Sequence, residues 1–206
     1  HFGIEVEDLE KVRQKVAKKY PYIEIVKRTG NRPFASYSAH DPAGNYFDLS
    51  QPGHENRAEV YAKGEWKQET TFSHFAIRAR EAERLANFYT DVFELEARNL
   101  PSEEGGYHLT DGRMTMAILP WKISSFNGAG IEQPGMDHIG FRVPELKAFS
   151  DNMAMVTKTN IQLAAKPIPF DQEGEARLRL LQKCPHGALQ LADPDGTLID
   201  VAQDHP

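Results

Sequence analysis

The sequence predicts an α+β fold built from repeated βαβββ modules. Three observations carry this. Three stretches open alike, His1-Phe2-Gly3-Ile4, His74-Phe75-Ala76-Ile77 and His138-Ile139-Gly140-Phe141, each reading His, bulky apolar, small, bulky apolar. Two stretches close alike, Asp41-Pro42-Ala43-Gly44 through Asp48 and Asp193-Pro194-Asp195-Gly196 through Asp200, each a turn followed by a strand with an Asp four places after the Gly. Between openings and endings, apolar residues recur at helical spacing. Register-consistent matches of this kind point to duplicated supersecondary units.

The elements follow in the same order in each module. Each opening is an alternating strand, and a helical pattern comes next: Glu7 to Tyr20, Glu81 to Phe93 and Pro144 to Thr159. In the middle helix Leu85, Phe88, Tyr89 and Val92 form one apolar face. Short strand-like runs follow, such as Ile23 to Val26 and Tyr107 to Leu109, and then the strand after the Asp-Gly turn. The middle module has a degenerate ending, Asp111-Gly112-Arg113-Met114-Thr115-Met116, which puts Met116 where the others have Asp. The expected organisation is a single module over 1–62, a linker over Gln51 to Thr70, and a paired-module domain over 70–206, with modules at 70–125 and 135–206. The chain opens at His1 inside a strand-like run, which predicts a partner module upstream or from another subunit.

Composition narrows the function. The chain has 206 residues, 40 % of them hydrophobic and 26 % charged, as in a globular protein. A net charge of −6 repels phosphate backbones and argues against a nucleic-acid partner. No apolar run approaches the roughly 20 residues that span a bilayer, so no membrane role is expected. Cys184 is the one cysteine, which excludes an internal disulfide and a multi-thiolate zinc site. A cytoplasmic location is the expectation.

Side chains alternate along a strand. His74, Ala76 and Arg78 therefore share a face, and His138, Gly140 and Arg142 share another of the same layout. The small central residue leaves room for a ligand. On the last strand Leu198, Asp200 and Ala202 point together. If two modules pair with these faces inward, His74, His138 and Asp200 converge. Two imidazoles and one carboxylate with open positions favour non-haem Fe(II), with Mn(II) or Zn(II) as neighbours. Lone strand histidines are commonly plain structural residues; the repetition at equivalent positions is what raises these above that reading. His1 and Asp48 hold the same positions in the first module and form a weaker second candidate.

The run Leu85 to Leu95, the strand His138-Ile139-Gly140-Phe141-Arg142-Val143 and the ending Asp193 to Asp200 resemble the vicinal oxygen chelate superfamily (glyoxalases, bleomycin-resistance proteins, extradiol dioxygenases). Glu94 stands where that superfamily usually has Gly. The resemblance implies paired modules forming a cupped, incompletely closed barrel of mixed sheet. It also implies a small-molecule substrate chelated through vicinal oxygens. Glyoxalase-like members use four ligands, and Met116 breaks that set; first-strand His, first-strand His and last-strand acid is the dioxygenase-like pattern. Asp200 is one methylene shorter than the usual Glu, and Gln190 stands where the dioxygenase motif has Tyr.

His186 and His108 are acid/base candidates, since imidazole shuttles protons near neutral pH. Arg78 and Arg142 are candidates for holding a substrate carboxylate. Three functions follow as expectations: a metal-dependent, dioxygenase-like enzyme; a glyoxalase- or epimerase-like isomerase or lyase; and a metal-free drug-sequestering binding protein. An exposed sheet edge on the first module would suit a homo-oligomer.

Overall fold

The structure, a computed structural model, describes residues 1–30, 35–55, 69–100, 105–160, 172–181, 187–193 and 195–203. The described residues divide into two compact units. One comprises those of His1–Lys67 together with Glu83–Leu95; the other comprises those of Gln68–Ala82 and Glu96–Pro206. The linker expected over Gln51 to Thr70 lies mostly outside the described residues.

The first unit holds β1 (Phe2–Glu5), α1 (Leu9–Lys19), β2 (Val26–Lys27), β3 (Tyr37–His40) and β4 (Tyr46–Ser50). Its four strands run β1-β4-β3-β2, with β1 and β4 parallel. Asp8 caps α1, its Oδ1 accepting from the Lys11 amide at 3.0 Å, and Leu9, Val12 and Val16 bury one face. The run Ile23 to Val26 forms less strand than its alternation predicts. Only Val26 and Lys27 pair, at an exposed edge.

The middle module's helix, α2 (Ala82–Phe93), contributes its residues from Glu83 onward to this first unit. The module boundary read from the repeats is therefore not the boundary of compactness. Aromatic packing explains why. Phe88 meets Phe47 at 6.1 Å between ring centroids, and Tyr89 meets Phe2 at 6.2 Å. The Tyr89 hydroxyl donates to Asp41 Oδ2 at 2.8 Å, and Lys15 and Lys19 pair with Glu94 and Asp91.

The second unit holds β5 (Thr71–Ala79), β6 (Glu96–Arg98), β7 (Tyr107–Thr110), β8 (Thr115–Pro120), β9 (Gly135–Val143), α3 (Leu146–Thr159), α4 (Gln172–Leu181), β10 (Leu189–Ala192) and β11 (Leu198–Gln203). One seven-stranded sheet runs β10-β11-β9-β5-β8-β7-β6. It is mixed and open, with β10 and β6 at its edges. Its two modules join where β5 and β9 pair antiparallel, first strand to first strand. Within each module the first and last strands are parallel: β1 with β4, β5 with β8, β9 with β11. The repeat read from the sequence is thus a repeat of topology.

The seats of α3 and α4 differ. Leu146 and Phe149 of α3 pack on Val143, Leu191 and Val201. Leu178 and Leu181 of α4 pack with Ala192 and Leu198. α4 has no forerunner in the sequence reading, and its arginine at position 177 turns out to matter. No helix among the described residues is long and apolar enough to cross a membrane.

Strand register corrects one assignment. Gly3 lies opposite Asp48 and Gly140 opposite Asp200, but Ala76 lies opposite Ala117. Met116 instead faces Phe75 across the pair and belongs to the other side of the sheet. The two D-P-x-G turns place Gly44 and Gly196 at φ 86 and 87, where glycine is favoured. The middle turn is organised differently, with the Asp111 carboxylate accepting from the Arg113 and Met114 amides, and its strands pair at Thr110 and Thr115, one residue closer together than at His40 and Tyr46 or at Ala192 and Leu198. Ala117 is no more a ligand than Met116, so the four-donor set stays broken.

Candidate metal centre

One face of the seven-stranded sheet gathers the candidate residues of the second unit. Rows of cross-strand neighbours fix this: His74 beside Gly140 and Thr115, Ala76 beside His138 and Ala117, Asp200 beside Gly140 and Gln190, His108 beside Ala117. His74, His138 and Asp200 are all buried. His74 Nε2 stands 3.6 Å from Asp200 Oδ2, and the two imidazoles lie edge to face with centroids 5.3 Å apart.

Glycines make the approach possible. A Cβ on Gly140 would fall 1.9 Å from the His74 ring, and one on Gly187 would fall 2.0 Å from the Asp200 carboxylate. The sequence predicts that the small residue at 140 leaves room for a ligand, but the His74 ring takes that space; the role of Gly187 has no signal in the sequence.

The antiparallel pairing of β5 with β9 is irregular at two points. The ladder steps from Phe72 to His74 while its partner steps from Phe141 to Gly140, so Ser73 is the extra residue. It steps from Ala76 to Ile77 while its partner steps from His138 to Met136, so Asp137 is the extra residue. Ser73 Oγ stands 2.9 Å from His74 Nδ1, and Asp137 Oδ2 stands 2.9 Å from His138 Nδ1. On the third donor, the Gln190 amide donates to Asp200 Oδ1 at 2.9 Å. Each candidate ligand therefore has one polar atom held by a neighbour. His138 Nε2 and Asp200 Oδ2 are buried with no hydrogen-bond partner among the described residues.

Asp137 is the residue the sequence reading missed. It is buried, and its Oδ1 accepts from Arg78 Nε at 2.6 Å and from Arg177 Nη1 at 2.8 Å. Burial pushes its carboxyl up, but the hydrogen bond from His138 and the two guanidinium groups outweigh this and hold it well below the usual carboxylate range. Burial pushes the Asp200 carboxyl above its ordinary value, against the Gln190 amide and the charge of His138. A buried acid before a strand histidine would have been the signal for Asp137, but strict alternation sends it to the opposite face; only the bulge brings it round.

The other candidates sort as follows. Arg78 is buried, and its Nε is committed to Asp137. Arg142 is half-buried on β9, opposite Ala202. His108 is buried on the same face as His74, and burial pushes its imidazole pKa down, favouring the neutral ring. His186 lies outside the described residues. In the first unit His1 Nε2 stands 3.5 Å from Asp48 Oδ2, with His1 61 % exposed and Asp48 16 % exposed, while Ser38 Oγ donates to Asp48 Oδ1 at 2.5 Å. Among the described residues no group of three or more His, Cys, Asp or Glu side chains stands ready-made as a metal cluster. A surface concavity of about 420 Å³ lined by Tyr20, Glu83, Arg84, Asn87, Thr90 and Asp91 is in the first unit and holds none of the candidates.

Solved structures share this architecture. A Mn(II)-bound glyoxalase from Novosphingobium aromaticivorans aligns over 98 % of this chain and 61 % of its own, with a TM-score of 0.60 at 12 % identity. A halotolerant catechol dioxygenase aligns over 98 % of this chain and 67 % of its own, with a TM-score of 0.58 at 10 % identity. The chain has the vicinal oxygen chelate fold. Homoprotocatechuate 2,3-dioxygenase from Arthrobacter globiformis shares that fold, with a TM-score of 0.56 at 15 % identity over 98 % of this chain and 60 % of its own. The chain thus spans about three fifths of the glyoxalase's length. No family model matches the sequence, and no curated protein matches it. A vicinal oxygen chelate scaffold hosts several chemistries, so the fold alone names none.

Proposed function

We propose that this chain is a metal-dependent enzyme of dioxygenase-like type, with a divalent ion held by His74, His138 and Asp200. One observation supports it above the others. Two buried donor atoms, His138 Nε2 and Asp200 Oδ2, lack hydrogen-bond partners among the described residues, in a place where such atoms are costly. Their other polar atoms are held by Asp137 and Gln190, the outer-shell pattern that orients metal ligands. The donors would have to draw closer to bind at roughly 2.0–2.2 Å.

A divalent ion there, Fe(II) ahead of Mn(II) or Zn(II) for this donor set, supplies Lewis-acid chemistry and, as iron, redox chemistry. The chain's own residues do the rest. Ser73, Asp137 and Gln190 orient the donors. Ala117, with only a methyl group on this face, would leave room for a small substrate presenting two vicinal oxygens. The buried sheet face excludes water. His108, whose imidazole burial pushes toward the neutral form, would accept a proton, and Arg142 would meet a substrate carboxylate. Arg78 serves through Asp137 rather than by touching substrate.

A glyoxalase-like isomerase or lyase is the second reading, favoured by the likeness to the Mn(II)-bound glyoxalase. Ala117 weighs against it, because the fourth donor position carries a methyl group. The test is elemental analysis of protein purified without chelator or metal-binding tag, with turnover of a catechol panel in air and under argon. Stoichiometric metal in the wild type, lost in H74A and H138A, is expected. Full metal retention in both variants overturns the site. Oxygen-independent turnover selects the second reading, and a metal-free protein that binds small molecules tightly would make it a sequestering protein.

A further inference from the structure

We propose that the two β-bulges make the histidines unequal. Asp137 is a positioning residue that makes His138 the anchoring ligand, while Ser73 leaves His74 the exchangeable one. The inference rests on the metal reading above and adds a ranking to it.

In a regular strand the residue before a histidine points to the opposite face and does not reach that ring. Both bulges fall immediately before a histidine, and both put the preceding side chain 2.9 Å from its Nδ1. The two strands solve one geometric problem in the same way, with different chemistry.

Asp137 is an ionised carboxylate and only accepts hydrogen bonds. Arg78 and Arg177 occupy Oδ1, which leaves Oδ2 for the imidazole. His138 must then donate from Nδ1, so its lone pair is on Nε2, the buried atom without a hydrogen-bond partner among the described residues. An imidazole backed by a carboxylate is the more basic donor and binds a metal more tightly. Arg177 comes from α4 and Arg78 from β5, so two separate elements hold this acid in place.

Ser73 offers a hydroxyl, which donates or accepts equally well. The Ser73 contact is compatible with either His74 tautomer without movement of heavy atoms. With hydrogen on Nε2 it faces Asp200 Oδ2 across 3.6 Å; with its lone pair there it is a ligand. His74 is therefore the arm that can leave and return while His138 keeps hold.

The test has two arms on the full chain. Long-range ¹H–¹⁵N spectra of the metal-free wild type report each histidine's tautomer. His138 as the Nδ1–H form is expected; an Nε2–H form overturns the proposal, and this arm needs no variant to fold. Calorimetric titration with Zn(II) then compares D137N and S73A with wild type. D137N is expected to lose about 10–100-fold in affinity and S73A clearly less, under about 3-fold. Equal losses, or a larger loss in S73A, overturn the ranking while leaving the metal site standing. A wild type that takes up no Zn(II) overturns the metal reading, and the ranking with it.

Discussion

A Cβ on Gly140 would lie 1.9 Å from the imidazole of His74. The two residues are cross-strand neighbours, so the ring lies over the glycine rather than beside it. G140A is therefore a displacement of His74 by one methyl group. Overpacking of this kind costs about 1–3 kcal/mol, and the His74 ring has to shift to relieve it. We expect a folded protein with a lowered urea midpoint and at least tenfold weaker Zn(II) binding. Unchanged Zn(II) affinity in G140A would remove His74 from the site.

The register of β5 against β8 gives a sharper test. Ala117 is on the His74 face and Met116 on the other. A117E adds a carboxylate at the position that Asp200 holds in the neighbouring module. Without metal, that buried charge should cost several kcal/mol. Zn(II) should restore the loss, because binding to the folded state alone stabilises it. M116E should be destabilised to a similar degree with no rescue by Zn(II). Thermal unfolding of both variants with and without Zn(II) decides it, and rescue of M116E instead would mean the strand is misread by one residue.

The comparison of Met116 with Ala117 shows how much the sequence can tell. The gathering of His74, His138 and Asp200 on one sheet face was legible because their motifs repeat, and the βαβββ order within a module followed from the same repetition. The exact register of the middle ending was not, because an aspartate turn one residue shorter leaves no trace in the apolar pattern. Asp137 was hidden for a related reason. Alternation places it opposite His138, and only an extra residue in the β9 ladder brings both to one hydrogen bond. Its cation Arg177 comes from a helix whose sequence, Gln172 to Leu181, carries a glycine and little apolar periodicity. The placement of α2 with the first unit depends on contacts between residues more than 40 apart in sequence, such as the ring contact of Phe88 with Phe47 and the hydrogen bond of Tyr89 to Asp41. Spacing within one module does not encode that.

That same hydrogen bond sets an alkaline limit on the first unit. Burial, with the charge and hydrogen bond of Asp41 adding to it, raises the Tyr89 hydroxyl well above 10. The unfolded phenol ionises near its ordinary value of about 10. Folded protein then binds the proton more tightly than unfolded protein, so the contribution is complete below about pH 10 and falls as pH rises above it. Y89F cannot ionise. It should lose about 1–2 kcal/mol at neutral pH, from one hydrogen bond to a carboxylate that keeps other donors. Its stability should also fall less steeply than that of wild type between pH 10 and 11.5. Urea titrations across that range measure both, and parallel slopes would count against the contact.

Glu94 is the residue that ends α2, and it does so at φ 59, the left-handed region where glycine is at home. An L-residue there costs roughly 1–2 kcal/mol relative to glycine. What Glu94 gives back is a pair of exposed contacts, to Lys15 Nζ at 2.5 Å and Lys11 Nζ at 3.7 Å. Exposed pairs of this kind are worth little, and salt screens them. The backbone strain should win. E94G is expected to stabilise the protein by up to about 1 kcal/mol, part of the gain being offset by the greater freedom of glycine in the unfolded chain. The gain should grow at 0.5 M salt, where wild type loses its ion pairs and the variant has none to lose. Chemical denaturation at two ionic strengths reads both numbers, and a destabilised E94G would mean that the lysine contacts outweigh the left-handed strain.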